Sequence, residues 1–212
     1  MARRRVWQGR GLHSRASVVR SKAKGSAVLE FAICLPLLVV FVVGIYDFSG
    51  AFNQKQKIEQ AAQEGAIVAG AQPTSDIVPG SPSSPSNPSS LQPVVAAIFN
   101  SLAASGVLPN ANQGSCSLSP APAPTQPSAL AWTYTIAGCS GTYPSDTLVI
   151  TINRGWAALP SQSPAPYVVG SIVTVSYPYH WFFNRVIQLL IPGANYASST
   201  NLTESANVQN QM

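Results

Sequence analysis

The hydrophobic pattern of the chain is dominated by one uninterrupted apolar run near its start. From Ala27 to Tyr46 there are 20 residues with a single charge, that of Glu30. A helix of this length, at about 1.5 Å rise per residue, covers the ~30 Å hydrocarbon core of a bilayer. The run therefore predicts a transmembrane helix over residues 26–46. Pro36 is tolerated within such a helix, because neighbouring groups can satisfy the carbonyl that it leaves free.

The apolar positions that follow the run keep a helical period. No proline occurs between Asp47 and Ala71, and apolar or small residues recur on one face of a 3.6-residue wheel. This pattern predicts a helical extension over residues 47–72 that stands well clear of the bilayer, since span and extension together measure about 67 Å. Lys55 and Glu59 interrupt the face and, four residues apart, are predicted to pair. The face consists of Phe48, Ala51, Phe52, Ile58, Ala62, Ala66 and Ala69.

Beyond the extension the pattern changes to short elements. Residues 73–93 are rich in serine and proline, which do not build a core, and they predict a linker or loop. Residues 94–212 begin with a predicted helix at Val94–Ala104, and alternating apolar residues then predict antiparallel strands with one buried face. The predicted strands are Trp132–Ala137, Thr147–Asn153 and Tyr167–Tyr177, followed by a short helix at Trp181–Ile191 and a polar strand or frayed tail at Tyr196–Val208.

Together these elements define an α+β fold class. A long, pilin-like N-terminal membrane-spanning helix is predicted to precede a small antiparallel sheet domain with short helices.

The charge distribution orients the predicted span. Eight of the 12 Lys and Arg residues precede Gly25, whereas the rest of the chain carries four basic and seven acidic residues. By the positive-inside bias, the basic leader, residues 1–25, stays in the cytoplasm and residues 94–212 form an exported domain. We therefore predict a single-pass protein of the inner (cytoplasmic) membrane with a disordered leader. A basic leader could touch nucleic acid, but the apolar run directly after it favours the topological role.

The cysteines and histidines limit the chemistry that the chain can carry out. Cys34 lies within the span, whereas Cys116 and Cys139 fall in the exported part, where an oxidising compartment favours a disulfide. Neither has the CxxC spacing of a metal site. His180 stands between two aromatic residues and is predicted to be a surface or packing histidine. No phosphate loop, dinucleotide fingerprint or nucleophile motif is present, so we predict no enzyme activity, no cofactor and no small-molecule substrate.

A spacing motif marks the start of the apolar run. Gly25 is followed by four residues beginning with Ser26, then by Glu30, Phe31 and the rest of the run. Placed after a basic leader, this spacing resembles the processing site of type IV prepilins and of their Tad/Flp pilus relatives, in which a membrane peptidase cuts after the glycine. The resemblance implies cleavage before Ser26 and pairing of Glu30 with the new amino terminus on a neighbouring subunit.

A longer stretch narrows the resemblance to one family. The runs GSAVLEFAICLPLL from Gly25, GIYDF from Gly44 and QAAQEGA from Gln60 are similar to the TadE-like proteins, envelope pseudopilins of the Flp pilus system. The resemblance implies a membrane-anchored, pseudopilin-like structural subunit of a pilus or secretion assembly. Its implied partners are the membrane, a prepilin-type peptidase, other pilin-like subunits and the pilus assembly platform. Phe31 departs from the pattern, since prepilins of this system often carry tyrosine there.

Two interpretations from other classes remain open. Ser49-Gly50-Ala51 resembles a small-x-small signal peptidase site, which would give a secreted binding domain that begins near Phe52. A membrane-tethered hydrolase that uses His180 is the other alternative. The sequence leaves open whether the subunit is major or minor, and whether a fibre serves adhesion, DNA uptake or secretion.

Overall fold

The chain folds as a long helix, α1 (Val19–Ala71), followed by a shorter helix and a sheet. A 3-10 turn (Ser89–Leu91) leads directly into the shorter helix, α2 (Gln92–Ala104). The described strands form one sheet and are β1 (Thr125–Ser128), β2 (Ala131–Ala137), β3 (Thr147–Ala158), β4 (Val168–His180) and β5 (Ser199–Gln209). The computed structural model describes residues 19–77, 87–119, 122–128, 130–158, 168–183, 188, 193 and 198–211.

Helix α1 joins the predicted span and its extension without a break. Its 53 residues make a rod about 80 Å long, and the helix continues through Pro36. No side chain from Gly25 to Tyr46 is buried, and this part of the helix is long and apolar enough to cross a membrane. The helix starts at Val19, so the predicted disorder of the leader is wrong for its last residues. The rest of the leader, residues 1–18, lies outside the described residues.

The sheet is an antiparallel meander in which each strand pairs with the next along the chain. This order confirms the predicted α+β class, and β2, β3 and β4 lie where strands were predicted. The polar segment near the C-terminus is a strand rather than a frayed tail, and it pairs with β4 from Gly170↔Gln209 to His180↔Ser199. Strand β1 was not predicted. Of the predicted helix Trp181–Ile191, Phe183 and Gln188 are helical, Trp181 and Phe182 are not, and the remainder lies outside the described residues.

The core lies between one face of the sheet and the two helices. The alternation predicted for β3 and β4 is confirmed, because Ile150, Ile152, Val173 and Val175 all point into this core. Helices α1 and α2 meet at Gly65, where a Cβ would lie only 2.6 Å from Cδ1 of Ile98. The small residues of the predicted face therefore act as a close-packing surface. The buried members of that face are Ala51, Ile58, Ala62, Ala66 and Ala69.

Two predictions about the extension are wrong. Phe48 and Phe52 are exposed, by 71% and 61%, although Ala51 on the same face is buried. Lys55 does not pair with Glu59; its Nζ lies 3.2 Å from Oε1 of Glu204, which β5 brings alongside the helix. Glu59 instead accepts a hydrogen bond from Gln63. Tertiary packing has thus replaced the local i, i+4 pair.

The boundary of the predicted linker also differs in the structure. Residues 87–93 belong to the folded part, since Leu91 is buried and the Ser90 N–H donates to Oδ2 of Asp76 at 2.8 Å. Folded structure therefore resumes at Asn87 and not at Val94. Residues 78–86 of the predicted linker lie outside the described residues.

Candidate functional site

The predicted processing motif lies on an open stretch of α1. Gly25, Ser26, Glu30 and Phe31 are all exposed, and the Ser26 hydroxyl donates to Oε1 of Glu30 at 3.0 Å. Apart from the chain neighbours of Gly25 and the backbone of its own helix, no atom of the described residues lies within 4 Å of the place that a Cβ on Gly25 would occupy. Packing among the described residues therefore does not require a glycine at position 25. The motif is presented to the surroundings as a free helical surface.

A second group of side chains meets where the apolar run ends. Asp47 directly follows the run, yet its side chain is almost fully buried, with the residue 1% exposed. Its Oδ2 accepts a hydrogen bond from the Phe183 N–H at 2.6 Å, and its Oδ1 accepts one from the Phe182 N–H at 3.2 Å. The Tyr179 hydroxyl lies 3.2 Å from Oδ1 and donates to the Asp47 carbonyl oxygen at 3.1 Å. Asp47 thus ties the end of β4 to α1.

The ionisation of Tyr179 fits this arrangement. Burial, and then the negative charge of Asp47, raise the pKa of Tyr179 to about 12. The phenol therefore keeps its proton at physiological pH and remains a hydrogen-bond donor to Asp47. Sequence inspection missed this group; its one local signal is an acidic residue placed between Tyr46 and Phe48 at the end of an apolar run.

Aromatic residues lie next to Asp47 on α1 and at the end of β4, and we name them the aromatic collar. They come from two parts of the chain that are more than 100 residues apart, and these parts meet where the ring centroids of Phe48 and Trp181 are 5.6 Å apart. The Trp181 indole N–H donates to the Thr200 hydroxyl at 2.8 Å. The collar consists of Tyr46, Phe48, Phe52, Trp181, Phe182 and Phe183.

Comparison with known proteins found a family match within α1. Residues 25–66 match the family model described as TadE-like protein. The chain carries a TadE-like segment. This match confirms the resemblance drawn from the sequence, and it covers the motif, the apolar run and Asp47, all within α1. No curated protein and no solved structure matches the chain.

A disulfide lies outside the TadE-like segment and confirms the predicted cysteine pair. Cys116 and Cys139 are bonded and fully buried; the bond joins the turns after α2 to the end of β2. Cys34 is a free, exposed thiol in the TadE-like segment.

Replacing both Cys116 and Cys139 with alanine is expected to lower the free energy of unfolding by about 3 kcal/mol, because the unfolded chain loses a cross-link between positions 23 apart. Urea unfolding of the detergent-solubilised protein measures this change. Cys34→Ala is the matched control and should leave stability unchanged, since Cys34 is exposed and its thiol is free. Equal stability of the double variant and this control would contradict a stabilising role for the disulfide.

His180 lies in a packed environment at the end of β4. Its Nε2 is 2.9 Å from both carboxylate oxygens of the buried Asp146. The Tyr143 ring stacks on the His180 ring, with the two ring centroids 3.5 Å apart. These contacts join β4 to the turn before β3. Among the described residues, no hydrogen bond joins His180 to a serine hydroxyl, and no cluster of three or more His, Cys, Asp and Glu residues could hold a metal ion.

Proposed function

We propose that this chain is a membrane-anchored, pseudopilin-like structural subunit of a Tad/Flp-type pilus or secretion assembly. The observation that carries the proposal is the position of the TadE-like match: it begins at Gly25, on the exposed apolar part of α1, and continues to residue 66, within the part that packs on the sheet. A TadE-like segment on an apolar N-terminal helix fits a membrane protein associated with a Tad pilus. The role proposed here is structural rather than catalytic.

Exposure of the motif supports an assembly role. Glu30 is the single charged residue from Ala27 to Tyr46, and a carboxylate in lipid costs about 2.5–3.5 kcal/mol near the bilayer centre and less near its surface. A cationic amino terminus on a neighbouring subunit, created by cleavage before Ser26, would offset that cost. The proposed partners are therefore a prepilin-type peptidase, other pilin-like subunits and the assembly platform.

The structure also bears on the signal-peptide alternative. Ser49-Gly50-Ala51 lies inside the continuous helix α1, where a Cβ on Gly50 would be 2.7 Å from the Tyr179 hydroxyl and where Ala51 is buried. Cleavage there would cut α1 within its contact with the sheet and would separate Asp47 from Tyr179. These contacts favour a chain that retains its apolar helix.

A topology experiment tests the proposed placement in the membrane. A reporter that is active only outside the cytoplasm, fused after Met212, is expected to be active in cells that make the full chain. Replacing the eight Lys and Arg residues of the leader with neutral residues should reduce that activity by mixing the two orientations. The unmodified leader in the same fusion is the control. A cytoplasmic reporter in that control would refute an exported domain.

A further inference from the structure

We infer that the aromatic collar is a second membrane contact, which seats the sheet domain on the headgroup region of the lipid bilayer that holds α1. The inference rests on the membrane anchor in the proposed function. It adds that the exported domain touches the bilayer directly, through Trp181, Phe182 and Phe183, rather than being held away from it by a bare helix.

The collar lies at the level of α1 where the apolar run ends. Tyr46 ends the apolar run, and Asp47 is the next residue. The N–H groups of Phe182 and Phe183 bind the Asp47 carboxylate at 3.2 and 2.6 Å. This part of the sheet domain is therefore fixed within hydrogen-bond distance of the point where the predicted span leaves the bilayer.

The collar presents exposed aromatic rings. Phe48 is 71% exposed and Phe182 is 57% exposed, although both are large apolar side chains. Asp47 is the one charged residue between Phe31 and Gln54, and it is buried and hydrogen-bonded. No exposed charge on this stretch opposes contact with lipid. Aromatic side chains are enriched at the level of the headgroups, where an apolar ring and a polar edge are both accommodated.

A groove lies between the collar and the span. An apolar groove of about 490 Å³ opens beside α1. The groove is continuous with the apolar surface of α1 that faces lipid in the proposed function. We therefore expect a lipid acyl chain to occupy it. Its lining residues are Val40, Phe41, Gly44, Ile45, Phe48 and Phe183.

Depth-dependent fluorescence quenching tests the inference. The full chain is reconstituted into phosphatidylcholine vesicles whose acyl chains carry bromine either near the headgroup or near the chain end. Subtracting the fluorescence emission of the Trp181→Phe variant from that of the wild type gives the emission of Trp181. We expect the shallow bromines to quench this difference signal about twofold more than the deep bromines do. Identical fractional quenching of wild type and Trp181→Phe would overturn the inference.

A pair of matched variants separates lipid contact from folding. Phe182→Asp keeps the backbone N–H that binds Asp47 but places a carboxylate at the bilayer surface, so the quenching of Trp181 should fall by about half. Ile67→Asp is the control: Ile67 is equally exposed on α1, about 30 Å further along the helix, and its replacement should leave the quenching unchanged. Equal effects of the two variants would overturn the inference.

An alkaline wash of the same vesicles distinguishes failure of the anchor from failure of the collar. A chain that stays with the vesicles while Trp181 is not quenched retains its anchor and refutes the collar. Loss of the chain in the wash refutes the anchor and the collar together. If Trp181 escapes lipid quenching but is also shielded from an aqueous quencher, a second copy of the chain covers the collar, and the lipid assignment is wrong.

Discussion

Replacing Asp47 with alanine is expected to release the end of β4 from α1 and to lower the free energy of unfolding by about 4 kcal/mol. The carboxylate accepts hydrogen bonds from two backbone N–H groups and faces the Tyr179 hydroxyl. Its removal leaves the N–H groups of Phe182 and Phe183 without their acceptor in a partly buried place, and each such loss costs about 1–3 kcal/mol. Urea unfolding in detergent, followed by tryptophan fluorescence, measures the change.

Two further variants make this prediction specific. Asp47→Asn keeps the shape of the side chain and one acceptor oxygen, so its loss of stability should lie between those of wild type and Asp47→Ala. Glu59→Ala removes an exposed carboxylate from the same helix. Among the described residues this carboxylate accepts a hydrogen bond from Gln63 alone, and its loss should change stability by less than about 0.5 kcal/mol. A similarly small effect of Asp47→Ala would mean that water replaces the carboxylate, and it would contradict the role assigned here.

Periodicity predicted the elements whose apolar residues repeat regularly. The span follows from an unbroken apolar run, and β3 from the alternation of Leu148, Ile150 and Ile152, which are all buried. Strand β1 carries no such pattern, because three of its four residues, TQPS, are polar and the fourth is a proline. It forms at the sheet edge by pairing with β2, so its strand structure depends on its neighbour rather than on its own side chains.

The parts of the candidate site also differ in how far the sequence could predict them. The predicted processing motif is local in sequence, so its spacing, together with the basic leader and the apolar run, was enough to predict a role for Gly25 and Glu30. The Asp47 group joins residues 132 to 136 positions apart, and no helical or strand period connects them. Lys55 illustrates the competition between the two kinds of contact. Local spacing favoured Glu59, but the sheet brings Glu204 within 3.2 Å.

The mature chain is expected to begin at Ser26, and Gly25→Ala is expected to keep the leader attached. A peptidase that approaches the backbone closely would meet the added Cβ, and a penalty of about 1.4 kcal/mol already slows cleavage about tenfold. Beyond the backbone of its own helix, no atom of the described residues lies within 4 Å of that Cβ, so folding should be unaffected. Gly44→Ala is the matched control, since Gly44 also lies on α1 with open space around it. Intact-mass measurement and N-terminal sequencing of protein from the cell envelope distinguish the products.

Glu30→Gln separates cleavage from assembly in the same experiment. The proposed partner of the Glu30 carboxylate is the amine that cleavage creates, so the variant should still be cut before Ser26. It should then fail to enter large envelope complexes, because the amine loses its buried counter-charge. Size fractionation of cross-linked envelopes measures this loss, with Gly44→Ala again as the control. A wild-type chain that begins near Phe52, or one that retains its leader in cells carrying the peptidase, would refute prepilin-type processing. A cleaved Glu30→Gln variant that assembles like wild type would leave cleavage intact and remove the proposed pairing of Glu30.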